Sequence, residues 1–224
     1  MAFPLSAKDL ENEISSLLQT GVGGNVQDFL KWIRMEIQKK FKDEVILSEK
    51  DVAEILEKHK AEGNLVSGRF DAREYFLSDD SKFYKKVTSQ DKFYILGRLD
   101  FSPMQYVKTR LEYFLRRNGV DEEEIIDIGI ATVEAVENAA KYGDGSSVEV
   151  EYSIDRSKTF HISLLNNIKE FDLEEDIKRG KFSSTATLMR GMMVMQKLFN
   201  QVDLEILDDK KQASFKAKRI LQSQ

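Results

Sequence analysis

The chain has 224 residues, 41% apolar and 33% charged, with 12 glycines and 2 prolines, an ordinary globular make-up with material for one or two hydrophobic cores. Its balance of 34 basic against 39 acidic residues, net −5, argues against a dedicated nucleic-acid binder. No stretch approaches the roughly 18 consecutive apolar residues that a spanning helix needs, and zero cysteines exclude disulfides, thiolate metal sites and cysteine nucleophiles.

Met1 to Leu10 carry no basic segment followed by an apolar run, so no secretory signal is expected and the cytoplasm is the expected compartment. Leu10, Ile14, Leu17 and Leu18 then recur at helical spacing until Gly21-Val22-Gly23-Gly24. A second helix is predicted from Val26, Phe29, Leu30, Ile33 and Ile37, ending on the basic pair Lys39-Lys40. A third opens at Ser48, with Asp51 three residues on, and carries Val52, Ile55 and Leu56 up to Gly63-Asn64. The stretch from Arg69 to Lys92 is rich in aromatics and lysines, with Phe70, Tyr75, Phe76, Phe83 and Tyr84 in it and Phe93 just beyond, and shows no clear period. Packing of the helical region onto its neighbour accounts for them, and a basic aromatic surface is the alternative.

Tyr94 to Phe101 reads as a strand. Ser102, Pro103 and Gln105 form a capping-box pattern ahead of a helix bearing Tyr106, Val107, Leu111, Phe114 and Leu115. Asp121 and Glu124 open a further helix by the same logic, running through Ile125, Ile128, Ala131, Ala135 and Ala139 to Gly143. Val148 to Ile154 and Phe160 to Leu164 alternate about a turn at Asp155 to Lys158, a β-hairpin. A polar stretch from Asn166 to Thr187 leads to a helix over Met189 to Asn200, followed by strands Val202 to Leu207 and Ala213 to Arg219. Strands grouped in hairpins give an α+β class: a mainly antiparallel mixed sheet with helices layered on one face, plus an N-terminal helical segment. Residues 1–92 form that segment and residues 93–224 the sheet domain.

The run Ile130-Ala131-Thr132-Val133-Glu134-Ala135-Val136-Glu137-Asn138-Ala139-Ala140-Lys141-Tyr142-Gly143 sets Glu134 and Asn138 four residues apart on one helical face, with small residues on the packed side. Arg190-Gly191 opens an amphipathic helix that runs into a strand at Val202. With the order of elements, these stretches resemble the ATP-binding domain of the GHKL superfamily, and within it the anti-sigma-factor serine/threonine kinases of bacteria. The resemblance implies a histidine-kinase-like ATPase fold, ATP and Mg2+ as cofactors, Glu134 as the catalytic base and Asn138 as the magnesium ligand. It implies Asn166 as the adenine contact, Arg190 and Gly191 as the phosphate site, and Lys181, in the place of the nucleotide lid, as a further phosphate contact. The family's first glycine box is degenerate here: aligned on Phe171-Asp172, Asn166 replaces an aspartate, and Ile168 and Glu170 replace glycines.

Two functions follow. One is an ATP-binding regulatory protein that phosphorylates or sequesters an anti-anti-sigma-like or sigma-like partner. The other is a pseudo-ATPase of the same fold acting only in protein interaction. Neither involves nucleic acid or a membrane, and both admit a homodimer. The two histidines, His59 and His161, stand in no HExxH context, which excludes a zinc hydrolase. His59 lacks the surroundings of a phosphoacceptor, and an exposed histidine at a helix end is the expectation for it. His161, beside a strand, is expected to be structural.

Overall fold

The computed structural model describes residues 3–40, 45–83, 89–169, 191–207 and 211–222. The chain divides into two compact units, Met1–Val87 with Asp100–Phe114, and Thr88–Leu99 with Leu115–Gln224.

In the first unit, β1 (Phe3–Pro4) pairs parallel with β2 (Val45–Ile46), and helices α1 (Ala7–Leu18), α2 (Val26–Lys40) and α3 (Glu49–Ala61) pack on one another. Each helix is amphipathic, and the residues at helical spacing are the buried ones: Leu10, Ile14, Leu17 and Leu18 on α1, Phe29, Ile33 and Ile37 on α2, Val52 and Leu56 on α3. Ser6 and Ser48 cap α1 and α3 by accepting from the Asp9 and Asp51 amides at 3.2 and 3.3 Å. Helix α4 (Pro103–Arg117) lends the unit its Pro103–Phe114 portion, where Tyr106 stands edge-on to the buried Trp32 at 5.5 Å. Thr109 Oγ1 accepts from the Gly23 amide at 3.1 Å.

Ahead of α4, the expected capping pair is engaged elsewhere. Ser102, at φ 49°, accepts from Lys31 Nζ through its hydroxyl, and Gln105 donates to the Gly23 carbonyl. The aromatic stretch contains a small antiparallel hairpin, β3 (Leu65–Ser67) with β4 (Tyr75–Leu77), whose three-residue strands are too short to display a period. Tyr75 and Phe83 are buried, whereas Phe70 is 96% exposed. Burial first, and then the hydrogen bond from its hydroxyl to Glu57, push the Tyr75 phenol up to about 12.

His59 is buried, against expectation, because it lies on the packed face of α3 one turn after Leu56 and edge-on to Phe83 at 4.9 Å. Neither ring nitrogen has a hydrogen-bond partner among the described residues, and the Glu62 carboxylate stands 3.5 Å from Nδ1. Burial lowers the imidazole pKa against the opposing pull of Glu62. The unfolded chain therefore binds more protons than the native one between the lowered value and about 6.5. Stability is expected to be complete above about pH 6.5 and to fall as the pH drops through the native pKa. Urea midpoints of wild type and His59→Leu between about pH 5 and 8 check this, since the variant should lose that part of the slope.

The second unit is built on five strands: β5 (Gln90–Leu96), β6 (Gly143–Ile154), β7 (Thr159–Ile168), β8 (Gln201–Leu207) and β9 (Gln212–Ile220). Their order is β5-β6-β7-β9-β8, with every pairing antiparallel. Alternate residues, among them Phe93, Ile95, Val148, Val150, Tyr152, Phe160, Ile162, Leu164 and Phe215, are buried on one side. That side is covered by α5 (Glu122–Tyr142) and by a helix over residues 191–198, α6. Just after α6, Phe199 stacks on Phe160 at 6.5 Å. The architecture is α+β, a mainly antiparallel sheet with helices on one face.

The strand expected to reach Phe101 ends at Leu96, whose partner Ser147 lies where β6 bulges, and Leu99–Phe101 form a 3-10 turn. Glu124, expected to assist a helix cap, instead accepts from Arg219 Nε at 3.3 Å and from the Gln222 amide at 3.1 Å. Arg219 also pairs with Asp127 at 3.0 Å and donates to the Leu198 carbonyl at 2.7 Å, joining β9, α5 and the end of α6.

Candidate functional site

Helix α5 carries the two polar residues that the sequence set on one face. Its packed side is narrow because Ala131, Ala135 and Ala139 face the sheet, which brings the helix backbone close to the strands. Asn138 Nδ2 points to Glu134 Oε1 at 3.4 Å, so the amide donor is engaged and Oδ1 is left as the acceptor. Gly191, on α6, lies directly against the Glu134 side chain. An added Cβ there would collide with Oε1 and stand 2.8 Å from Cδ, so the absence of a side chain is a spatial requirement. Glu134, Asn138 and Gly191 thus form one contiguous group.

Gly143 ends α5 for a similar reason, since a Cβ would collide with the Ala139 carbonyl oxygen. The glycine lets β7 close against the helix end, through the Gly143 and Ile168 pairing and the Lys169 amide donating to the Tyr142 carbonyl at 3.3 Å. Asn166 is buried on the helix-facing side of β7 at that same end of α5, its Nδ2 3.2 Å from where a Gly143 Cβ would be. This Nδ2 donates to the Asn167 carbonyl at 3.0 Å, and again Oδ1 remains as acceptor. Ile168 continues the strand as a paired residue, so a β-branched side chain suits the position where the family pattern has glycine.

Lys181, Arg190, Glu170 and the lid segment 180–187 lie outside the described residues. No group of three or more His, Asp or Glu that could hold a metal occurs among the described residues. The single amide oxygen of Asn138 fits instead a Mg2+ held mainly by phosphate oxygens and water, the usual manner of that ion at nucleotides.

Gly191→Ala is expected to push the Glu134 carboxylate out of position and to cost about 1–3 kcal/mol in stability as an overpacked contact. A thermal melt checks the cost. A restored melting temperature in Gly191→Ala combined with Glu134→Ala would locate the collision in that pair.

The pattern of the family described as "Histidine kinase-like ATPase domain" matches residues 103–214, and the chain belongs to this family. No curated relative matches the sequence. Among solved structures, the chain is similar to the RsbU and RsbW domains of Rv1364c from Mycobacterium tuberculosis, at 14% identity and TM-score 0.47, over 67% of this chain and 35% of that one. It is also similar to the histidine kinase domain of the blue-light activated histidine kinase EL346 from Erythrobacter litoralis, at 12% identity and TM-score 0.32, over 96% and 94%. The chain thus spans about a third of the first of these.

Proposed function

We propose that this chain is a cytoplasmic regulatory protein that binds Mg-ATP through its sheet unit and phosphorylates or sequesters a protein partner of the sigma or anti-anti-sigma kind. The observation that carries the reading is the contact of Glu134, Asn138 and Gly191, three positions of the family's motifs brought together from two helices. In this reading Glu134 takes the proton of an attacking hydroxyl, Asn138 Oδ1 would ligate the magnesium, and Asn166 Oδ1 would accept from an adenine amino group. Lys181 and Arg190 are the cations assigned to the phosphates. ATP supplies the transferable phosphoryl group when bound.

A second reading, the pseudo-ATPase, is favoured by Ile168. Where the family has a flexible glycine, the strand runs on and pairs with Gly143. Thermal shift with Mg-ATP separates the two. A ligand at a hundred times its dissociation constant stabilises by about 2.7 kcal/mol, enough to move the melting temperature by several degrees. A shift that requires both ATP and magnesium supports the first reading. A flat titration at millimolar Mg-ATP overturns it and leaves protein interaction as the function.

A further inference from the structure

The amide of Asn166 has a donor end and an acceptor end, and a ligand meets whichever of them faces outward. What turns it lies on the next residue and on β6. The register of β6 against β7 jumps from Gly143 with Ile168 to Val148 with Asn166, so residues 144–147 bulge out opposite Asn167. The Asn167 carbonyl accepts from Asn166 Nδ2 at 3.0 Å. A carbonyl oxygen can only accept, so of the two ends of the Asn166 amide only Nδ2 can face it. Gly143 leaves the room for this bond, since a Cβ there would stand 3.2 Å from both Asn166 Nδ2 and the Asn167 oxygen. The Asn167 side chain is exposed on the other side of the strand and is held at both of its ends. Its Nδ2 donates to Ser146 Oγ in the bulge at 3.2 Å, and its Oδ1 accepts from Gln212 Nε2 on β9 at 3.2 Å. Ser146 is fixed in turn, its amide donating to Asp144 Oδ1 at 2.8 Å and its carbonyl accepting from the Gly97 amide at 2.9 Å. Asn167 thus ties β6, β7 and β9 together where the β6–β7 ladder is interrupted.

We infer, resting on the nucleotide site proposed above, that Asn167 is a positioning residue that fixes which end of the Asn166 amide a nucleotide meets. The site thereby takes a purine with a 6-amino group and rejects one with a 6-oxo group. A carboxylate at position 166 would present an acceptor however it turned. A neutral amide presents one only while its donor end is tied back, and the Asn167 carbonyl does the tying. With Nδ2 engaged there, Oδ1 accepts from the exocyclic amino group of adenine, but it meets the O6 of hypoxanthine acceptor against acceptor. Released from Asn167, the amide turns over and offers Nδ2 to O6, so one side chain then serves either base. The bulge and its anchors are therefore what give an asparagine the selectivity of an acid.

Calorimetric titration of the full chain with Mg-ATP and with Mg-ITP, which carries a 6-oxo group where ATP has the 6-amino group, tests it. The readout is the ratio of the two dissociation constants. Wild type is expected to prefer ATP by about tenfold or more, because ITP sets an acceptor against a buried acceptor. Asn167→Ala removes both anchors and should lower the preference to about threefold or less, with ATP weakened and ITP strengthened. Asn167→Asp still accepts from the Ser146 hydroxyl and the Gln212 amide, and should keep the wild-type ratio. In an Asn166→Asp background, where neither end donates, Asn167→Ala should leave the ratio unchanged. Gln212→Leu frees one end of Asn167 without altering β7, and should shift the ratio in the same direction even where Asn167→Ala fails to fold. A merely structural role for Asn167 would move both constants together and spare their ratio. Equal affinities in wild type, a ratio unmoved by Asn167→Ala and Gln212→Leu, or a ratio that Asn167→Ala moves in the Asn166→Asp background would overturn the inference and leave the ATP site standing. Binding of neither nucleotide would overturn the ATP site and the inference together.

Discussion

Arg219→Ala is expected to lower the stability of the sheet unit by about 3–5 kcal/mol, measured as a fall in the urea midpoint at unchanged slope. The Glu124 side chain is 6% exposed and that of Arg219 15%, so the pair lies in a region where water screens it poorly. Arg219 donates in three directions, to Glu124, to Asp127 and to the Leu198 carbonyl. Without it, Glu124 keeps only the Gln222 amide and becomes a buried charge lacking a counter-ion. The large cost comes from that stranded carboxylate. Glu124→Gln together with Arg219→Met should therefore cost less than Arg219→Ala alone, although it removes more polar groups. A loss below about 1 kcal/mol for the single variant would show that the ion pair contributes no more than a surface contact.

Glu134→Gln is expected to leave Mg-ATP affinity nearly unchanged and to lower turnover by about 10²–10⁴-fold. Glutamine keeps the shape and can still meet the Asn138 amide, so the change isolates the loss of a proton acceptor. Asn138→Ala should act the other way round. On the proposed reading it removes a magnesium ligand, so it should weaken the magnesium-dependent part of ATP affinity, while ATP without magnesium binds as before. Calorimetry with and without EDTA, beside single-turnover hydrolysis, separates the two. Equal losses of affinity in both variants would show that the residues serve only to hold the helix face together.

Period made most of the sheet unit legible. Val148 to Ile154 and Phe160 to Leu164 alternate cleanly because one side of each is buried and the other open, and α5 is marked by its small residues and by Gly143. Local pattern failed where side chains found partners far along the chain. Gln105 and Glu124 both sit at capping-box positions, yet they bond Gly23 and Arg219, 82 and 95 residues away. A helix start with two acidic residues at i and i+3, Glu124 and Asp127, was the available hint of an arginine from elsewhere. His59 was misread for a related reason. A titratable residue at a helix end is normally solvated, but His59 lies on the packed face of α3 with Val52 and Leu56, and Phe83 stands edge-on against it. In the candidate site, the pairing of Glu134 with Asn138 follows from helical spacing, whereas their contact with Gly191 depends on how α6 crosses α5.

Helix α4 has a bearing on how such a chain could be rearranged during evolution or in the laboratory. The family match begins at residue 103, but the stretch Asp100–Phe114 belongs to the compact unit formed by the N-terminal helices, with Tyr106 against Trp32 and Thr109 holding Gly23. A recombination breakpoint just ahead of the match would sever that core and leave Tyr106 without Trp32 and Thr109 without Gly23. A cut that respects the packing of α4 therefore has to keep residues 100–114 with the helices that precede them.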